Sequence, residues 1–135
     1  MAAKAQVAFT FVVALAALTH IVATAAAASV ETARDARIFE LLDDDHDGRV
    51  SVMEFKNNQM LVFYILDRNK DLALTADETF LPADVFAGVA GSDGKIDTLE
   101  FLDIVDSAFK QADTNHDGLL DRQEFTVLLE RVRNR

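Results

Sequence analysis

The sequence predicts an all-α fold of four tandem helix–loop–helix units in one compact domain, with short helices shared between neighbouring units. Three observations carry that expectation. A twelve-residue pattern of oxygen-bearing side chains recurs from Asp43, Asp67, Val89 and Asp113, closing each time on a glutamate: Glu54, Glu78, Glu100 and Glu124. The segments between loops place apolar residues at helical spacing. Only residues 55–66 separate the first two loops and 101–112 the last two, so each segment must leave one loop as a helix and enter the next as the same helix.

Residues 1–28 come first and stand apart. They hold Lys4, an apolar run from Val7 to Val22 and an alanine-rich end at Ala28. A basic start, a hydrophobic middle and small residues near Ala26 to Ala28 read as a secretory signal peptide, leaving residues 29–135 as the mature domain. The alternative is an uncleaved membrane anchor, because residues 5–28 exceed the about 20 apolar residues that span a bilayer. A core helix fits least, since the alanine tail lacks bulk and shows no amphipathic period. The expected location is exported, periplasmic or secreted, with no membrane contact after cleavage.

Loop 4, Asp113 to Glu124, has oxygen at every second side chain up to its glycine. A hard dication takes about six to eight oxygens, from side chains at loop positions 1, 3 and 5, a backbone carbonyl at 7 and a two-oxygen carboxylate at 12. Loop 4 offers Asp113, Asn115, Asp117, the Leu119 carbonyl and Glu124, with Asp121 at position 9 ligating directly or through water. Loop 1 offers Asp43, Asp45, Asp47, the Arg49 carbonyl and Glu54, with Ser51 acting through water. Gly48 and Gly118 stand at position 6, where the chain turns through positive φ. A pattern that needs these donors, a glycine and a terminal glutamate in register is specific, unlike a mere run of acids.

The middle loops depart from the pattern. Loop 2 keeps Asp67, Asn69, Asp71, the Ala73 carbonyl, Thr75 and Glu78, but Leu72 replaces the turn glycine at a cost of about 1–3 kcal/mol if held at positive φ. Its oxygens argue for weak metal binding and its leucine argues against. Loop 3 has Val89 and Gly91 at positions 1 and 3, which leaves Asp93, Gly94, Asp97 and Glu100. It is expected to bind nothing and to support another loop through Ile96.

The repeat extends beyond the ligands. Position 8 is apolar in all four loops (Val50, Leu74, Ile96, Leu120), as expected where paired loops form a short two-stranded contact. Phe39, Phe63, Val85 and Phe109 stand four residues before the loops, and Phe55, Thr79, Phe101 and Phe125 follow them. From Leu99 to Ala112, Phe101, Val105, Ala108, Phe109 and Ala112 share a helical face opposite Asp103, Asp106, Ser107 and Lys110. Residues 122–135 continue through Phe125, Leu128, Leu129 and Val132, and Arg131, Arg133 and Arg135 suit a helix C-terminus. If segment 55–66 is one unbroken helix, sequential loops lie at its opposite ends and non-neighbouring loops can pair. The alternative is a break near Asn57-Asn58 that sets sequential loops side by side. Pro82 cannot continue a helix after Leu81 and marks a corner leading to a short segment that ends near Gly88.

These loops resemble those of EF-hand calcium-binding proteins over residues 38–135, in particular the compact exported multi-hand kind common in bacteria. The resemblance implies two intact and two degenerate units, with calcium as the cofactor and partner, and it implies no particular protein target. Glutamate at position 12 favours calcium over magnesium, because a bidentate carboxylate suits a larger coordination number.

Composition sets limits on the rest. There are no cysteines, so the chain makes no disulfides even if exported. The formal charge is −10, and all 23 acids follow residue 28; such acidity argues against nucleic acid. Without metal, the carboxylates crowded into loops 1 and 4 repel one another, so calcium should stabilise the fold. The mature chain has only Met53 and Met60, and its phenylalanines sit at expected core positions, which favours a calcium buffer or calcium-stabilised regulatory module over a Met-rich sensor. A calcium-folded interaction module of the dockerin type, or a sensor with an unknown target, is the alternative. No nucleophilic cysteine, phosphate-cradling glycine loop or H-E-x-x-H pair is present, and His46 and His116 occupy a loop position facing away from metal, so no enzymatic activity is expected.

Overall fold

Loops 1, 3 and 4 each hand the chain to an α-helix by the same local device. Ser51 accepts a hydrogen bond from the Glu54 N–H, while the Glu54 carboxylate accepts from the Ser51 N–H. Asp97 with Glu100, and Asp121 with Glu124, make the same reciprocal pair. These are capping boxes, which satisfy two orphan backbone donors at once. In these three loops position 9 is therefore also a helix N-cap, and position 12 its N3 residue.

The computed structural model describes residues 25–133, with side chains over 33–131. The signal-peptide or anchor reading of residues 1–28 falls almost wholly outside them, and among the described residues no helix is long and apolar enough to cross a membrane. Helix α1 (Ala25–Leu42) enters loop 1, α2 (Val52–Leu66) joins loops 1 and 2, a 3₁₀ turn (Ala76–Glu78) and α3 (Ala83–Ala87) lead to loop 3, α4 (Thr98–Ala112) joins loops 3 and 4, and α5 (Arg122–Arg133) leaves. Two-residue strands lie within the loops: β1 (Val50–Ser51), β2 (Ala73–Leu74), β3 (Ile96–Asp97) and β4 (Leu119–Leu120).

Helix α2 runs unbroken through Asn57 and Asn58, so loops 1 and 2 sit at its opposite ends. The first loop pairs with the last, β1 antiparallel to β4 with Val50 opposite Leu120. Loops 2 and 3 pair likewise, with Leu74 opposite Ile96. All four position-8 side chains are buried, as the apolar pattern predicts.

This pairing gives the chain an internal two-fold relationship. Loop starts 43 and 67 recur at 89 and 113, an offset of 46 in both cases, so α2 corresponds to α4 and packs against it. Phe55 meets Phe109 edge-on at 5.6 Å, and the equivalent pair Phe101 and Phe63 meets at 5.0 Å. Phe39 of α1 meets Phe125 of α5 at 5.5 Å, but their counterparts are Val85 and Thr79. An edge-to-face pair contributes about 0.5–1.5 kcal/mol beyond burial, so the end holding loops 2 and 3 is the more weakly closed.

The same end corrects one expectation of a full helix–loop–helix unit. After loop 2 there is no helix up to Leu81, only the 3₁₀ turn; residues 79–82 are non-helical. Pro82 lacks an N–H and disfavours helical geometry at Leu81, so helical structure resumes only beyond it. One segment, 76–88, thus stands where α1 and α5 cover the core at the other end. Ile65, Leu72 and Phe80 remain exposed there, Phe80 at 86%.

Candidate metal centres

Loop 1 arranges its donors around its own backbone. The Asp43 carboxylate accepts the N–H groups of Asp47 at 3.0 Å and Gly48 at 2.9 Å. Asp45 also accepts from Asp47, and Asp47 accepts from Arg49. Glu54 closes the loop: one oxygen accepts from Asp44 and Asp45, the other from the Ser51 N–H and hydroxyl. Asp43 is buried, while Asp45 and Asp47 face solvent. Loop 4 repeats this with Asp113 accepting from Asp117 and Gly118, Asn115 and Asp117 turning back on the chain, and Glu124 accepting from Thr114, Asn115 and Asp121.

The donor chemistry fits a hard cation. One oxygen each from Asp43, Asp45 and Asp47 lies within 4.8 Å of the others. Two oxygens each about 2.4 Å from one ion can be at most about 4.8 Å apart. No nitrogen or sulfur ligand stands among the expected donors in loops 1 and 4, so the sets suit calcium rather than zinc.

Electrostatics keep these carboxylates ready to bind. Burial works to raise the Glu54 carboxyl, but hydrogen bonds from Ser51, Asp45 and Asp44 outweigh it and hold Glu54 below its ordinary value. Burial is likewise overcome at Glu124 by bonds from Asp121, Thr114 and Asn115. Asp117 is lowered chiefly by the Leu119 N–H, with Arg49 adding to it. A carboxylate already ionised loses no proton on taking up metal.

The structure brings the expected residues of loops 1, 2 and 4 to equivalent places and leaves loop 3 apart. Ser51 and Asp121, expected to ligate through water or directly, are engaged as helix caps. Loop 2 copies the closure, with Glu78 accepting from Arg68 and from the Thr75 N–H and hydroxyl. Leu72 does adopt positive φ, 64°, and its N–H still reaches Asp67. In loop 3, Val89 at position 1 is buried in the core, and a Cβ on Gly91 would lie 2.4 Å from a Glu100 oxygen, so the glutamate occupies the space that a side chain at position 3 would take.

Two features escape the ligand pattern. Arg49, at position 7 of loop 1, pairs with Asp117 of loop 4 at 2.9 Å, and Lys95, at position 7 of loop 3, pairs with Asp71 of loop 2 at 2.7 Å. The signal was present as a basic residue at position 7, a place read only for its carbonyl. His46, Lys70 and His116 at position 4 all adopt φ near 60° and are exposed, as expected of side chains facing away from a metal.

Helix–loop–helix units whose twelve-residue loops converge oxygens and pair through short strands define a class of metal-binding protein. Residues 35–61 and 104–129 match the family model described as EF hand, and these two matches support an EF-hand calcium-binding protein. They cover loops 1 and 4 with parts of their flanking helices and leave 62–103 outside. No curated protein matches the chain.

Proposed function

We propose that the protein binds calcium through loops 1 and 4 and serves as an exported calcium buffer or calcium-stabilised regulatory module without enzymatic activity. The ligands are Asp43, Asp45, Asp47, the Arg49 carbonyl, Ser51 through water and Glu54, and Asp113, Asn115, Asp117, the Leu119 carbonyl, Asp121 and Glu124. The convergence of the Asp43, Asp45 and Asp47 oxygens, in a loop paired strand to strand with a second loop of the same kind, carries this reading.

Calcium held by these donors would supply positive charge that offsets the repulsion among each loop's carboxylates. The chain's part is to hold ionised carboxylates in register through backbone N–H groups, and to tie both loops to the core through Val50 and Leu120. A site filled at 100 times its dissociation constant adds about 2.7 kcal/mol of stability. The test is thermal unfolding with and without calcium for the native chain and for Glu54→Gln with Glu124→Gln. The double variant should lose the calcium-dependent rise in Tm; an unchanged rise overturns the assignment. Export is tested separately: an N-terminus between Ala27 and Val30 supports a cleaved signal, and an intact Met1 favours the anchor.

One observation favours a second reading, a protein-interaction module or sensor. A groove of about 310 Å³ at the loop 2 end, open to solvent, is lined by the apolar Val62, Ile65, Leu66 and Phe80 together with Arg68, Asp77, Glu78 and Thr79. Binding of a hydrophobic dye that rises with calcium would favour it over the buffer.

A further inference from the structure

We propose that loop 2, Asp67 to Glu78, is a third divalent-cation site, gated by Lys95 of the opposite loop. The site lies outside both family-model matches and lacks the turn glycine.

The first ground is an orphaned oxygen. Asp67 is 1% exposed, and its Oδ1 has no hydrogen-bond partner. Its counterparts in loops 1 and 4 differ: one oxygen of Asp43 accepts the Asp47 N–H, and one of Asp113 accepts the Asp117 N–H. In loop 2 the corresponding Asp71 N–H goes to Asn69 instead. The other Asp67 oxygen accepts the Leu72 N–H, so the carboxylate is turned into the loop. A buried carboxylate oxygen without a partner is costly, and a bound cation removes that cost.

The second ground is how the neighbouring charges are used. Lys70 lies over the Tyr64 ring at 3.5 Å, and Arg68 donates to the Asp77 carbonyl. Lys95, from the loop paired through β2 and β3, sits on Asp71. Asp71 is the position-5 donor, so a metal must take it from the Lys95 ammonium. The internal cation makes the site weaker than its donor set alone would give.

Tyr64 provides a local reporter. It is the one tyrosine of a chain without tryptophan, and it lies three residues before Asp67, whereas loops 1 and 4 are at the other end of α2. Terbium, a calcium mimic excited through tyrosine only at short range, should therefore report on loop 2. The experiment titrates Tb³⁺ into the full chain with excitation at the tyrosine band, and follows calcium binding at loops 1 and 4 by calorimetry.

Sensitised emission is expected. It should be lost in Glu78→Gln, and in Asp71→Asn, an exposed substitution that spares folding. Lys95→Gln should lower the half-saturating Tb³⁺ concentration by about two- to fivefold, the scale of one exposed ion pair. Lys70→Gln makes the same change in charge without touching Asp71 and should shift it less. Absence of emission, or emission that survives both acidic substitutions, overturns the site. Equal shifts from Lys95→Gln and Lys70→Gln overturn the gate. Glu54→Gln with Glu124→Gln should remove the binding heat of loops 1 and 4 while leaving the sensitised emission of loop 2, so the two readings fail separately.

Discussion

The guanidinium of Arg49 in loop 1 meets the carboxylate of Asp117 in loop 4 at 2.9 Å, across the β1–β4 strand pair. Asp117 is an expected calcium ligand, so a basic side chain of one loop competes for a donor of the other. Both groups are partly exposed, so water screens the pair and it adds little to stability. Arg49→Gln should therefore tighten calcium binding at loop 4 by about two- to fivefold and change metal-free stability little. Calorimetric titration on a background of Glu54→Gln with Glu78→Gln isolates that loop; weaker binding would show that Arg49 orders Asp117 rather than competing for it.

Leu72 is held at φ 64° and the residue is 66% exposed, so its strain is not offset by burial. A left-handed conformation costs an L-residue about 1–2 kcal/mol. Glycine removes that cost but makes the unfolded chain freer by about 0.4–1 kcal/mol. Leu72→Gly should raise stability by about 0.5–1 kcal/mol, read from the denaturant midpoint at unchanged slope. A fall would mean that the Leu72 side chain makes an apolar contact worth more than the strain.

Gln59 is buried in α2, and its Oε1 has no partner. The two-fold relationship places Val105, a core residue, at the equivalent point of α4. An unsatisfied buried acceptor costs about 1–3 kcal/mol. Gln59→Leu is expected to stabilise the chain by about 1 kcal/mol in chemical denaturation. Destabilisation would show that the amide's other atoms hold a bond worth more than the orphaned oxygen costs.

Acid should unfold the protein in a defined direction. Glu54, Glu78, Glu124, Asp71 and Asp117 are all held below their ordinary values. Folded-state values below the unfolded ones mean that the folded chain binds fewer protons, so their stabilisation is complete above the unfolded-state range of about pH 4. It is lost as pH falls through the lower folded values. Unfolding free energy without calcium should be nearly level from about pH 7 to 5 as far as these groups are concerned, then fall. A maximum below pH 4 would contradict the assignment.

What the sequence determined was local. Asp43 to Glu54 and Asp113 to Glu124 were legible because the donors, the turn glycine and the closing glutamate of each loop lie within twelve residues. The apolar position-8 residues and the phenylalanines flanking the loops were legible for the same reason, since helix and strand periods dictate which side chains turn inward. Tertiary structure decided which loops meet. The spacing left two arrangements open, and only the unbroken α2 packed against α4 sets loop 1 beside loop 4. The pairs Arg49 with Asp117 and Lys95 with Asp71 follow from that packing, because they join residues far apart in the chain. So does the contrast between a closed end, where Phe39 meets Phe125, and an open end where Val85 and Thr79 replace them. Spacing along a chain sets what each segment can bury, but which buried surfaces find one another depends on the shapes of all the helices together.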